Sequence, residues 1–188
     1  MTTWFTGGHH FGHQNIAKYE NRPDGWQDLA IDRWNEVVKD DDTVIHIGDF
    51  VFGPVDYGKM ILNCLKGQKY ILLGNHDRSP QNMRDMGFLN VWGNRRQAKY
   101  GDSQFWMKYY VLTAGSPGGF SISAPICLSH APLPDLKGFG RFNIHGHIHS
   151  NGYPVDLMGG QKPWHVNVEV DVTDYYPISI EQILGGYR

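Results

Sequence analysis

The rhythm of apolar and polar positions changes halfway along this chain. Thr3 to Thr6 is a short apolar run that stops at Gly7-Gly8 and predicts a strand. Gln14 to Tyr19 reads as a short helix, followed by the turn Arg22-Pro23-Asp24-Gly25. From Trp26 to Lys39 the apolar residues Leu29, Trp34, Val37 and Val38 fall at helical rather than alternating spacing, and Asp40-Asp41-Asp42 ends the helix. Thr43 to Ile47 is an uninterrupted buried strand running into Gly48-Asp49. Tyr57 to Leu65 predicts another helix, closed by Gly67, and Lys69 to Leu73 the next strand. Strand and helix alternate as βαβαβ, a pattern that favours a parallel sheet with right-handed crossovers.

Beyond this point the helical period is lost. Val91 to Tyr100, Gln104 to Thr113, Ser121 to Leu128, Arg141 to His145 and Trp164 to Val170 read as strands separated by Gly, Pro, Ser and Asp turns. Gly115-Ser116-Pro117-Gly118-Gly119 is the clearest hairpin loop, and a short helix is expected near Ile178 to Leu184. Two sheets face to face, with helices outside, follow from this order.

Composition narrows the classes. At 188 residues the chain has the length of a single domain, 1–188, able to bury a full core. A formal charge of -2 and a pI near 6.5 give no basic footprint, so no stable nucleic-acid complex is expected. The start, Met1-Thr2-Thr3-Trp4, has no basic n-region or apolar core of a signal peptide. No apolar run reaches the roughly 18 residues of a membrane span, so a cytoplasmic protein without membrane partners is expected. Cys64 and Cys127 sit in apolar contexts without a CxxC partner and read as buried free thiols.

The candidate chemistry sits in four clusters that follow apolar runs. They are Thr6-Gly7-Gly8-His9-His10-Phe11-Gly12-His13, Gly48-Asp49, Gly74-Asn75-His76-Asp77, and Ser129-His130 with Gly146-His147-Ile148-His149. Loops at the carboxyl ends of strands are where open α/β sheets place ligands, so residues distant in sequence can meet at one point. Imidazole nitrogen, amide oxygen and carboxylate suit Mn, Fe, Zn or Ni, and the carboxylate of Asp49 could bridge two ions. His147 and His149, two apart, would face one side of an extended segment. A closed Cys/His tetrad of the structural zinc type is absent from the sequence.

On these residues the chain resembles the calcineurin-like metallophosphoesterases, whose motifs are D-x-H, G-D, G-N-H-D/E, a later His and G-H-x-H. A smaller, uncapped bacterial and phage-type subgroup is similar at His10 to His13, at Asn15-Ile16 and at Asn21-Arg22-Pro23. The resemblance implies a four-layer αββα sandwich with two mixed sheets. It implies two divalent ions, Mn first among the candidates. His10, Asp49 and His149 would hold one ion, and Asp49, Asn75, His130 and His147 the other. His76 would assist the leaving oxygen and Asp77 would orient His76. His13, Arg22 and Arg78 are candidates to hold the substrate at the mouth. The implied activity is hydrolysis of a phosphodiester or phosphomonoester, of a nucleotide or another small phosphorylated substrate. Asn167 to Asp171 resembles the family's last strand and is read as structural.

One position departs from the pattern. The family carries aspartate two residues before His10, where this chain has Gly8. His9 should point to the opposite face, which leaves water as the expected replacement ligand at this lost ligand position. Reduced activity is therefore expected, with Gly8→Asp raising it. The alternative is an impaired phosphate- or nucleotide-binding protein that retains one metal.

Overall fold

The computed structural model describes residues 1–100, 103–113, 125–133, 142–150 and 165–185, with backbone only at 94–109 (less 101–102) and at 112. It is an α/β fold with two mixed five-stranded sheets. The first sheet joins β1 (Thr3–Thr6), β2 (Thr43–His46), β3 (Gln68–Leu72), β4 (Asn90–Trp92) and β10 (Ile178–Ser179), in the order β10-β1-β2-β3-β4. All neighbours are parallel except β10, which runs antiparallel to β1. The second contains β5 (Asn94–Tyr100), β6 (Ser103–Leu112), β7 (Ile126–Ser129), β8 (Phe142–His145) and β9 (His165–Asn167), in sequence order. Its first three strands are antiparallel and its last three parallel.

Period-two alternation sorts the strand residues into two cores. Val44 and Ile71 point toward the helices, where they join Ala30, Trp34, Val38, Ile61 and Leu62. Ile45, Ile47, Tyr70 and Leu72 point the other way and meet Ile126, Leu128, Ile144 and Val166 of the second sheet. The central strands are thus covered on both faces, which is why they read as continuous apolar runs. The helical layer holds α1 (Gln14–Tyr19), α2 (Trp26–Val37), α3 (Val55–Cys64) and α4 (Pro80–Met86). Ala30, Trp34 and Val38 recur every four residues, forming the stripe by which α2 buries one side. The short α5 (Ile180–Leu184), with a Ser179/Gln182 capping box, sends Ile183 into the inter-sheet core.

Four readings need correction. The run Val91 to Tyr100 is two strands, because the chain leaves the first sheet at Gly93 and enters the second. Of the expected strand Trp164 to Val170, Trp164 lies outside the described residues, and the described part is regular over His165–Asn167 before it crosses back to the first sheet through a bridge between Gly7 and Glu169. Helix α4 has no counterpart among the sequence expectations. Cys127 is a buried free thiol, but Cys64 is exposed on the outer face of α3. The Gly115–Gly119 hairpin loop lies outside the described residues. No helix among the described residues is long and apolar enough to cross a membrane.

Candidate metal centre

Five loops converge because five strands end at one edge. The loops after β1 and β2 run side by side, stitched by Gly8 N–H to Gly48 O at 3.1 Å, His10 N–H to Asp49 O at 2.9 Å and Phe11 N–H to Phe50 O at 3.0 Å. The loop after β3 comes so close that a Cβ on Gly74 would lie 2.1 Å from Asp49 Oδ1, so only glycine fits there. His130 follows β7 and His147 follows β8, on parallel neighbours. His10, Asp49, His147 and His149 all have positive φ, between 45° and 72°. Such backbone is uncommon for non-glycine residues and clusters at functional sites.

Ligand atoms of Asp49, His130 and His147 lie within 4.8 Å of one another, a group able to hold a metal ion. His130 donates Nδ1–H to Ile47 O at 2.8 Å, which turns Nε2 toward Asn75 Oδ1 at 2.8 Å and Asp49 Oδ2 at 3.2 Å. This carbonyl bond fixes the tautomer a ligating histidine needs. Burial would raise the Asp49 carboxyl, but His130 and His10 outweigh it and hold the group well below the ordinary carboxylate range. Burial opposes charging His130, yet Asp49 prevails and pushes it up to about 9. Burial, reinforced by His130, lowers His147 to about 4. The donor set is one carboxylate, two imidazoles and an amide oxygen, and it fits a hard or borderline divalent cation. Binding one would displace the proton on His130.

The second expected group is assembled differently. His10 Nε2 is buried without a hydrogen-bond partner and lies 3.5 Å from Asp49 Oδ2. Burial, partly opposed by Asp49, lowers it to about 3, so it stays a neutral ligand. The His10 and His149 rings are 5.3 Å apart, centre to centre. His149 donates Nδ1–H to Asp171 Oδ2 at 2.8 Å, leaving Nε2 as the nitrogen with which it could coordinate. His10, Asp49 and His149 do not form a ligand triad within 4.8 Å; His149 is instead grouped with Glu20 and Asp171. Positive φ at both His147 and His149 means that their segment is not extended. His147 turns to His130, at 4.9 Å between ring centres, while His149 turns to His10.

His9 points into the core, although positive φ at Gly8 and His10 means that the segment is not extended. Gly48 N–H donates to His46 Nδ1, so His46 carries its proton on Nε2 and donates it to His9 Nδ1 at 2.9 Å. Burial, then His46, holds His9 far below its ordinary value, and its ring stacks on Phe11.

The remaining candidates divide. His76 is exposed, with its ring 5.3 Å from that of His10, and its backbone N–H donates to Asp49 Oδ1 at 2.9 Å. Asp77 bonds to backbone rather than to the His76 ring: it accepts Asp49 N–H at 2.8 Å, Gly74 N–H at 2.7 Å and Phe50 N–H at 3.0 Å. These bonds clamp two loops together. His13 caps α1 through Nδ1, and its ring packs on the half-exposed Phe52 near the mouth. Arg22 is not at the mouth. Its buried fork spans both oxygens of Asp171, Gly8 O and His9 O, all at 2.6–2.7 Å, and lies over Trp26. Arg78 is exposed and bonds to Gly53 O at 2.7 Å.

Sequence reasoning missed Glu169 and Asp171, which were read as structural strand residues. Both contact histidines of the candidate centre. Glu169 accepts His147 N–H at 2.5 Å and lies 3.3 Å from His149 Nδ1, while burial raises its carboxyl above the ordinary value. The available signal is a glutamate set between Val168 and Val170 in a run expected to be a strand, where a buried charge needs a partner.

Comparison with known proteins places the chain among little-described relatives. No protein-family model matches it. It is 26% identical over 181 residues to the uncharacterised protein MJ1445 of Methanocaldococcus jannaschii, covering 93% of this chain and 85% of that one. It is 29% identical over 175 residues to the gene 66 protein of Mycobacterium phage L5, covering 79% and 77% respectively. A crystal structure of AQ665 from Aquifex aeolicus, a protein of unknown function, superposes over 98% of both chains with a TM-score of 0.72 at 24% identity. That likeness is one of fold.

Proposed function

We propose that this chain is a metal-dependent phosphoesterase of the calcineurin-like type, one four-layer αββα domain spanning 1–188, acting on a small phosphodiester or nucleotide. The observation that carries the reading is the convergence of Asp49, Asn75, His130 and His147 from four strand ends, with His10 and His149 adjoining. Divalent cations at such a centre would lower the pKa of water and neutralise charge developing on phosphoryl oxygens.

The chain's own residues do the rest. Asp49, held ionised by its histidines, has Oδ2 near both His10 and His130 and would help to hold the cations there. His130 and His147 would hold a cation through neutral ring nitrogen, His130 giving up its proton on binding. His76, exposed beside His10, would give a proton to the leaving oxygen. Asp77 keeps the Asp49 and Gly74 loops in register, so that His76 and Asp49 hold their separation. His13, whose ring lies 5.8 Å from that of His10 and packs on Phe52, would contact the substrate beside the centre. Mn is the first candidate, and Fe, Zn or Ni also suit the donors.

The test is turnover of an aryl phosphodiester and an aryl phosphomonoester with Mn added, for the wild type and Asp49→Asn. Hydrolysis by the wild type that collapses in the variant supports the reading. Tight phosphate binding without turnover of either ester would favour the one-metal binding protein instead.

A further inference from the structure

A buried carboxylate fills the space where a side chain on residue 8 would begin. A Cβ built on Gly8 would stand 1.4 Å from Glu169 Oε2 and 2.4 Å from its Cδ. A Cβ on Gly146 would stand 2.2 Å from Glu169 Oε1, whereas one on Gly7 would make ordinary contact at 3.5 Å. Glu169 thus lies in a slot that exists because positions 8 and 146 carry no side chain. A residue-8 side chain and the Glu169 carboxylate cannot share it. Glu169 is 0% exposed. Oε1 accepts His147 N–H, but Oε2 has no hydrogen-bond partner and lies 3.3 Å from His149 Nδ1. The nearby Arg22 does not serve it, being engaged with Asp171 and the carbonyls of residues 8 and 9. A carboxylate held this deep is paired or coordinates a cation.

We infer that Glu169 supplies the carboxylate of the first metal, replacing the residue-8 ligand from a different strand. This rests on the metal-centre reading proposed above. The ligand has moved from the loop after β1 to the segment after β9, which the bridge between Gly7 and Glu169 brings alongside. Gly8 is then the space that admits Glu169, and water is not needed as a substitute. Two divalent ions with Asp49 alone would leave the centre near +3, and Glu169 returns it to +2. The expectation that Gly8→Asp raises activity is overturned. The new carboxylate would collide with Glu169, and with φ of +65° at Gly8 and 52° at His10 the segment is not the extended one that would align residue 8 with His10.

Metal content separates the possibilities. The wild type, Glu169→Gln, Gly8→Asp and the double variant Gly8→Asp/Glu169→Gly are each dialysed against buffered Mn, analysed by mass spectrometry of the metal, and titrated calorimetrically. Circular dichroism verifies folding. The wild type should hold two Mn per chain. Glu169→Gln should keep one tight equivalent and weaken the other at least about tenfold. Gly8→Asp alone should gain nothing, and the double variant should regain the second equivalent, since aspartate tolerates positive φ better than most residues. Two undiminished equivalents in Glu169→Gln would overturn the Glu169 assignment while leaving the metal centre standing. So would a folded double variant that still holds one, or a wild type with one Mn that Glu169→Gln does not change. A wild type that binds no Mn would overturn the metal centre and this inference together.

Discussion

Replacing Asp77 with alanine should loosen the clamp between the second and third motif loops, and its cost can be worked from the bonds it makes. The carboxylate accepts three backbone N–H groups, those of Asp49, Phe50 and Gly74, at 2.7–3.0 Å. A buried donor left without a partner costs about 1–3 kcal/mol, so three would cost about 3–9 kcal/mol if all stayed dry. Asp77 is half-buried, and water can reach part of the gap, which favours the low end, about 3 kcal/mol. For a chain of this length that is a fall in Tm of about 6–12 °C. Asparagine keeps one oxygen, which can serve Asp49 and Gly74 while its amide faces the Phe50 N–H. It also removes a charge that burial, and then Asp49, disfavour by raising the Asp77 carboxyl. Asp77→Asn should therefore cost about 1 kcal/mol. Urea unfolding at pH 7, with m-values compared, measures both. An alanine variant within about 1 kcal/mol of wild type at unchanged m would refute the clamp. An asparagine variant of normal stability but greatly reduced turnover would return Asp77 to orienting His76.

Three further outcomes are expected. His76→Ala should lower turnover about 10²–10⁴-fold with metal content intact, and unchanged turnover would remove it from the mechanism. Arg22→Ala should cost about 3–5 kcal/mol because it removes the cation paired with the buried Asp171 carboxylate and the donors to Gly8 O and His9 O, and Arg22→Lys should not rescue it, lacking the fork; a penalty under 1 kcal/mol would contradict this. Burial chiefly lowers His46 and His145 to about 3, so between that value and about 6.5 the unfolded chain binds more protons than the fold. The share of these two groups should be full above about pH 6.5 and fall as pH drops, by about 2 kcal/mol per group at pH 5, and His145→Gln should remove one group's share from unfolding curves at the two pH values. An identical acid slope in that variant would show that His145 takes up its proton without unfolding.

The parts of the fold that could be read from the sequence are those where a local rule and the tertiary structure agree. Apolar runs ending in Gly7, Gly48 and Gly74 marked strands whose loops meet, because parallel strands carry their ends to one edge. Helix α4 escaped because Met83 and Met86 are its only buried apolar residues, too few to set a period. The break at Gly93 escaped because nothing local says which sheet a strand will join. Arg22 reads locally as a turn residue or a substrate contact, since its partner Asp171 is 149 residues away. Gly8 looked like a loss for the same reason. Its compensation, Glu169, lies across a sheet crossing that the linear pattern does not reveal.

The claim on which the rest depends is that the motif loops build a divalent-metal centre shared through Asp49. Anomalous diffraction at the manganese edge from Mn-soaked crystals tests it directly. One peak should lie within ligand distance of Asp49, Asn75, His130 and His147, and a second should lie between Asp49, His10, His149 and Glu169. Manganese bound elsewhere on the molecule, or no peak at Asp49 under saturating Mn, would contradict the account.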